Sequence, residues 1–157
     1  MNALSFTALD SEIVAHYRNG GLDAHGNAPE TLISEGGAPC RYCLDDIAPG
    51  ESMLLVAHRP FPQDQPYAET GPIFIHRAAC TRYEGSAVPP FIRRRKEMVV
   101  RGYDSNDRMV YSTASRVPLP QFEERAVILL RHPDVVYLHV RGTVTTCFQC
   151  RIDSVSS

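Results

Sequence analysis

Prolines and glycines interrupt this chain so often that no regular segment can be long. The 157 residues include 12 prolines and 10 glycines. Clear interruptions fall at residues 49–50, 60–66, 89–90 and 118–120. Because proline breaks helices and central strands, and glycine weakens both, each stretch between these points has room for one short strand or helix.

The apolar patterns between the interruptions predict strands more often than helices. Helical spacing favours helices at residues 12–18 and 121–131 and single helical turns near 30–33 and 77–83. Strands are predicted at residues 5–9, 52–58, 73–76, 97–103, 109–114, 135–141 and 147–153. Since helices do not alternate with these strands, we predict one α+β domain over residues 1–157 and not a parallel doubly wound sheet. The expected architecture is a mainly antiparallel sheet with two or three short helices and long loops rich in proline and glycine.

Charge and hydropathy narrow the classes of partner. The formal net charge is −2, whereas general polyanion binders are usually basic, so nucleic acid is not expected as a partner. The longest strongly apolar runs, 53–57 and 126–130, are far shorter than the roughly 20 residues that span a bilayer. The first ten residues show no basic segment followed by an apolar core. We therefore expect a cytoplasmic protein without a membrane partner, and the sequence does not predict an oligomeric state.

Four residues have the types and spacing of a zinc site. Cys40 and Cys43 form a C-x-x-C pair, whose two sulfurs a tight turn can direct at one ion. After 32 intervening residues come His76 and Cys80, and on a helical turn their i to i+4 spacing would place them on one face. Three thiolates and one imidazole suit a structural zinc ion, which prefers four such ligands in a tetrahedron.

Other interpretations of the five cysteines stay open. Cys40 and Cys43 could be a reduced pair beside a core histidine, or a redox-sensing dithiol, although such dithiols usually begin a helix. Cys147 and Cys150 fall in a predicted strand, where side chains three positions apart face opposite ways. A turn at Cys147 would instead allow a four-cysteine site shared with the first pair.

A second group of polar residues suggests a small-molecule pocket. A loop that contains Tyr67 and Glu69 leads into a predicted strand that ends at His76. On another predicted strand, alternation places His139 and Arg141 on one face. Together they could supply proton donors and acceptors to a small enzyme. The alternative is an exposed proline-rich loop and the solvent side of an antiparallel sheet.

Several phrases, taken in order, resemble a known family. They are Cys40-Arg-Tyr-Cys-Leu44, Ile47-Ala-Pro-Gly-Glu51, the segment from Tyr67 to His76, Val100-Arg-Gly-Tyr103 and Tyr137-Leu-His-Val-Arg141. This set is similar to a bacterial family known as domain of unknown function 1203, and the resemblance extends from about residue 6 to residue 153. It implies one small bacterial domain and no particular activity. The family phrase Pro-Cys-Arg-x-x-Leu does not include the second cysteine, so Cys43 is a feature of this chain.

The spacing of the cysteines and the histidine leads to one main hypothesis. The chain is expected to be a non-enzymatic binding or regulatory protein in which Cys40, Cys43, His76 and Cys80 hold a structural zinc ion. The two rival hypotheses are the small enzyme and the redox-sensing dithiol described above.

Overall fold

The computed structural model describes residues 3–155, which form ten strands and three α-helices. The helices are α1 (Ser11–Arg18), α2 (Pro90–Arg93) and α3 (Phe122–Leu130), and a short 3-10 turn precedes α3. The strands are β1 (Ala3–Thr7), β2 (Glu30–Ile33), β3 (Ala38–Pro39), β4 (Asp46–Ile47), β5 (Ser52–His58), β6 (Gly71–His76), β7 (Glu97–Tyr103), β8 (Met109–Pro118), β9 (Tyr137–Arg141) and β10 (Phe148–Val155). None of the helices in residues 3–155 has the length and hydrophobicity needed to cross a lipid bilayer.

The larger sheet has five antiparallel strands in the order β1-β10-β9-β7-β8. Strand β1 shows the expected alternation, because Leu4 and Phe6 are buried and their neighbours are not. Helix α3 covers this face with Phe122 and Ala126, and the ring of Phe122 stacks on that of Phe6. This packing forms the largest of the three hydrophobic clusters among the described residues, and it is called the larger core below.

The smaller sheet carries the parts of the chain that matter for the site. Strands β2, β5 and β6 pair antiparallel, and β3 and β4 form a separate two-stranded ribbon. Helix α1 packs on this unit through Val14 and Tyr17, and a second core forms there around Ile73 and Ile75. The end of β6 and the ribbon therefore lie side by side, as a parallel bridge between Cys40 and Phe74 shows.

The predicted fold class is confirmed: the structure is α+β, with mainly antiparallel sheets and three helices. Two local predictions are wrong, and one short helix was missed. Residues 30–33 form an edge strand, not a helical turn. All four side chains are exposed, so this strand lacks the alternation of buried and exposed residues that usually identifies a strand. Residues 77–83 contain no helix. Helix α2 was not predicted, because it has only four residues.

Strand β9 corrects the expectation of a solvent-facing polar stripe. All five of its residues are buried, including Tyr137, His139 and Arg141. The ring centroid of His139 lies 4.9 Å from that of Tyr103 and 4.7 Å from that of Phe148. The stripe is buried because β9 is central in its sheet and the smaller sheet and its loops cover this face.

Candidate metal centre

The backbone from Cys40 to Asp45 forms a tight knuckle. The Leu44 N–H donates to the Cys40 carbonyl at 3.0 Å, and the Cys40 N–H donates to the Asp45 carbonyl at 2.9 Å. Leu44 closes the turn in the left-handed conformation, with φ of 55°. That conformation costs a branched residue about 1–2 kcal/mol. Complete burial of the Leu44 side chain in the larger core offsets this cost.

Strand β6 delivers the other half of the site. His76 is its last residue, and the Arg41 N–H donates to the Phe74 carbonyl at 3.0 Å, which fixes the knuckle against this strand. The chain beyond His76 turns back without forming a helix, so Cys80 reaches the site from an irregular loop. The predicted meeting of the four side chains is correct, but the helical spacing proposed for it is not.

The geometry of the cluster is compatible with a tetrahedral metal site. One ligand atom from each of Cys40, Cys43, His76 and Cys80 lies within 4.8 Å of all the others. The Cys40 and Cys80 sulfurs are 3.9 Å apart, and the Cys43 sulfur is 3.5 Å from His76 Nδ1. Zinc with bonds of about 2.3 Å to sulfur and about 2.0 Å to nitrogen requires tetrahedral edges of about 3.8 Å and about 3.5 Å. Both measured edges are therefore within about 0.2 Å of those that zinc needs.

Neighbouring groups orient the ligands. His76 Nε2 lies 3.2 Å from a Glu51 carboxylate oxygen, which leaves Nδ1 to face the cysteines. Metal-binding histidines usually donate their second ring N–H to such a carboxylate. The His76 backbone N–H points to the Cys40 sulfur at 3.3 Å, and Arg18 Nη2 donates to the Cys80 sulfur at 3.2 Å. These donors favour negatively charged sulfur.

The electrostatics of the cluster favour loss of a proton. Hydrogen bonds from the thiols of Cys43 and Cys80 hold the pKa of Cys40 well below its usual value. The hydrogen bond that Cys43 donates to Cys40 raises the pKa of Cys43, because Cys43 must keep its proton to donate it, and repulsion between two adjacent thiolates adds to this effect. A divalent cation would relieve that repulsion and allow all the thiols to ionise, because metal ligation requires thiolates.

The redox alternative receives less support from the geometry. The Cys40–Cys43 pair is followed by the turn and β4 and not by a helix, so no helix dipole acts on either thiol. Cys147 and Cys150 are not among the clustered ligands of the described chain. Cys150 is fully buried on β10, where burial raises its pKa.

The proposed polar pocket is only partly assembled. The Glu69 carboxylate lies 3.4 Å from the Arg141 guanidinium and 3.0 Å from that of Arg101. Glu69 and Arg141 line a small cavity of 150 Å³. His139 is buried in an aromatic cluster, where burial, and then the charge of Arg141, lowers its pKa well below the ordinary value. Tyr67 contacts the Tyr111 hydroxyl at 3.1 Å at an exposed position. His76 belongs to the cysteine cluster instead.

Sequence reasoning missed three residues beside the cluster. Glu51 and Arg18 contact its ligands, and Arg41, between the two cysteines, is 3% exposed. Burial lowers the pKa of Arg41 to about 10, so its guanidinium stays charged at neutral pH. Glu51 could have been identified from its position just before β5, because the pairing of Met53 with His76 brings the start of β5 beside the end of β6. Arg18 is remote in sequence, and only the packing of α1 brings it to the site.

Comparison with known proteins gives one match. Residues 37–154 match a family described as a protein of unknown function (DUF1203). This range includes all four residues of the cluster. No curated protein and no solved structure matches the chain.

Proposed function

We propose that this chain, which belongs to the DUF1203 family, is a zinc-stabilised binding or regulatory protein of the bacterial cytoplasm. Zinc would be held by Cys40, Cys43, His76 and Cys80. The observation that carries the proposal is the agreement of two cluster edges, 3.9 Å and 3.5 Å, with a zinc tetrahedron. A reducing compartment such as the cytoplasm would keep the thiols available to the metal.

Four protein ligands favour a structural ion over a catalytic one. Catalytic zinc keeps one coordination position open for water or substrate, whereas structural zinc is fully enclosed by side chains. Here four side chains would complete the tetrahedron, and Cys40 is fully buried. The ion would join the loop that carries Cys80, which lies in no helix or sheet, to the knuckle and the end of β6, which a backbone bridge already connects.

Metal analysis of the purified protein tests this proposal. We expect about one zinc per chain, as one four-ligand site requires. In the folded protein, the thiols of the cluster should react with a thiol reagent only after a chelator has removed the ion. Cys43→Ser should lose the metal. Cys147→Ser, which changes a thiol outside the cluster, is the matched control and should keep it.

Two results would overturn the zinc proposal. One is a folded wild-type protein that contains far less than one equivalent of zinc after purification under reducing conditions and does not take zinc up. The other is equal zinc content in Cys43→Ser and wild type, with unchanged thiol reactivity after chelation. A disulfide between cluster cysteines in freshly isolated protein would favour the redox hypothesis instead.

A further inference from the structure

A groove separate from the metal cluster contains a buried arginine that has no carboxylate partner. Its volume is 460 Å³, and its wall includes Arg41, Phe74, Phe91 and Gln149. Within residues 3–155, no carboxylate lies within 4.0 Å of the Arg41 guanidinium. A buried charge is costly unless it is paired, so this arrangement calls for an anion.

The free donors of Arg41 are available to the groove. Its Nε donates to the Phe148 carbonyl at 2.8 Å and its Nη1 to the Pro39 carbonyl at 2.6 Å, which fixes the plane of the guanidinium. Nη2 makes no hydrogen bond to any described residue. A side-chain atom without a hydrogen bond is either partly exposed or fully buried. The fully buried ones are Tyr103 Oη, His139 Nδ1, Arg141 Nε and Gln149 Oε1, and Nη2 is not among them. Nη2 is therefore still accessible from the groove.

Gln149 provides a second unsatisfied group on the same wall. Its side chain is 7% exposed. The acceptor Oε1 is fully buried without a partner, and Nε2, the donor that an anion could use, makes no hydrogen bond to a described residue. A buried amide without partners costs about 1–3 kcal/mol, so most proteins satisfy or replace it. Two nearly buried polar side chains thus line one groove with unused hydrogen-bonding capacity.

The other charges of the groove are already neutralised. Arg95 forms two hydrogen bonds with the Asp46 carboxylate, at 2.7 and 3.0 Å. Glu97 lies 3.7 Å from Arg116. Arg41 is consequently the charged side chain of the groove that has no carboxylate partner. The rest of the wall includes two aromatic rings, which suit a ligand with an apolar body.

We propose that this groove binds a small organic oxyanion, a carboxylate or a phosphate monoester with an apolar body. The oxyanion would accept hydrogen bonds from Arg41 Nη2 and from Gln149 Nε2. The apolar body would lie against Phe74 and Pro72, since Phe91 beneath them is fully buried. An arginine fork is well suited to either oxyanion. This inference does not depend on the metal, because neither Arg41 nor Gln149 belongs to the ligand set.

Calorimetric titration of the purified full chain with phenyl phosphate and, separately, with benzoate tests the proposal and distinguishes the two anions. We expect saturable binding of one equivalent of at least one of them. Gln149→Leu should weaken it about tenfold or more, since a hydrogen bond to a charged group is lost. The same variant should be at least as stable as wild type in urea, because it removes an unsatisfied amide. A purely structural role for Gln149 would predict the opposite.

A second pair of variants keeps the test valid if Gln149→Leu does not fold. Thr143 is a half-buried residue of the loop between β9 and β10 on the rim of the groove. Thr143→Glu should weaken anion binding, whereas the matched neutral variant Thr143→Gln should bind like wild type. If neither anion binds, or if Thr143→Glu and Thr143→Gln bind equally, the proposal is overturned.

Discussion

The contact between Glu51 and His76 gives the sharpest test of the metal centre that leaves all four ligands in place. Replacing Glu51 by alanine removes the carboxylate that faces His76 Nε2 at 3.2 Å. The imidazole would then keep its packing but lose the partner that holds its ring orientation. We expect a protein that still binds zinc, but less tightly.

The size of the effect follows from the exposure of the carboxylate. A hydrogen bond to a charged group contributes about 1.5–3 kcal/mol. The Glu51 side chain is 53% exposed, so water screens the contact and the lower end of that range applies. A loss of about 1.4 kcal/mol lowers the zinc affinity about tenfold. Glu51→Gln keeps an acceptor oxygen and should lose about threefold, because only the charge is removed.

Zinc affinity is measured by competition with a chromophoric chelator at fixed pH. Glu35→Ala is the matched control, because Glu35 is an exposed glutamate with no hydrogen bond or ion pair to a described residue. It should bind zinc like wild type. If Glu51→Ala and Glu35→Ala had the same affinity, Glu51 would not orient His76, and the assignment of Nδ1 as the ligand atom would be refuted.

Three further predictions concern stability, each measured by urea unfolding. Gly102→Ala should destabilise the protein by about 1–3 kcal/mol, because the new Cβ would lie 2.7 Å from Thr113 Oγ1; unchanged stability would contradict the packing described here. Burial lowers the pKa of His58 to about 4, so the unfolded chain takes up the proton first as the pH falls below about 6.5. Wild type should therefore lose about 2–3 kcal/mol relative to His58→Gln between about pH 6.5 and about pH 4, and a difference independent of pH would refute this. Leu138→Ala, in the larger core, should cost about 2–5 kcal/mol, whereas the exposed control Leu22→Ala should cost little; equal losses would be inconsistent with this core.

The predictable part of the fold is the part with local signals. Strand β5 was predicted with its observed limits, because an apolar run stands between a Pro-Gly turn and a proline-rich loop. Strand β2 escaped prediction because it pairs through its backbone at a sheet edge, while its side chains stay exposed. The burial of His139 and Arg141 on β9 depends on which element covers that face, and a single strand carries no information about its neighbours.

In the candidate site, likewise, the ligands could be predicted from the sequence and the residues around them could not. Residue type and spacing were enough to select Cys40, Cys43, His76 and Cys80, since the chemistry of zinc strongly restricts its ligands. The surrounding contacts were not predictable, because Arg18 is 58 positions before His76 and approaches it only through the tertiary packing of α1. Arg41 was overlooked because an arginine in a turn is ordinarily exposed.

Leu44 joins the metal knuckle to the larger sheet. Its side chain packs in the larger core, and its carbonyl accepts a hydrogen bond from the Phe91 N–H at 3.2 Å. The knuckle cannot open without withdrawing this anchor, so the two sheets should open as one cooperative unit. Removal of zinc would then accelerate amide hydrogen exchange in β7, β9 and β10 as well as at the cysteines, and the most protected amides of the protein would report whether the ion is bound.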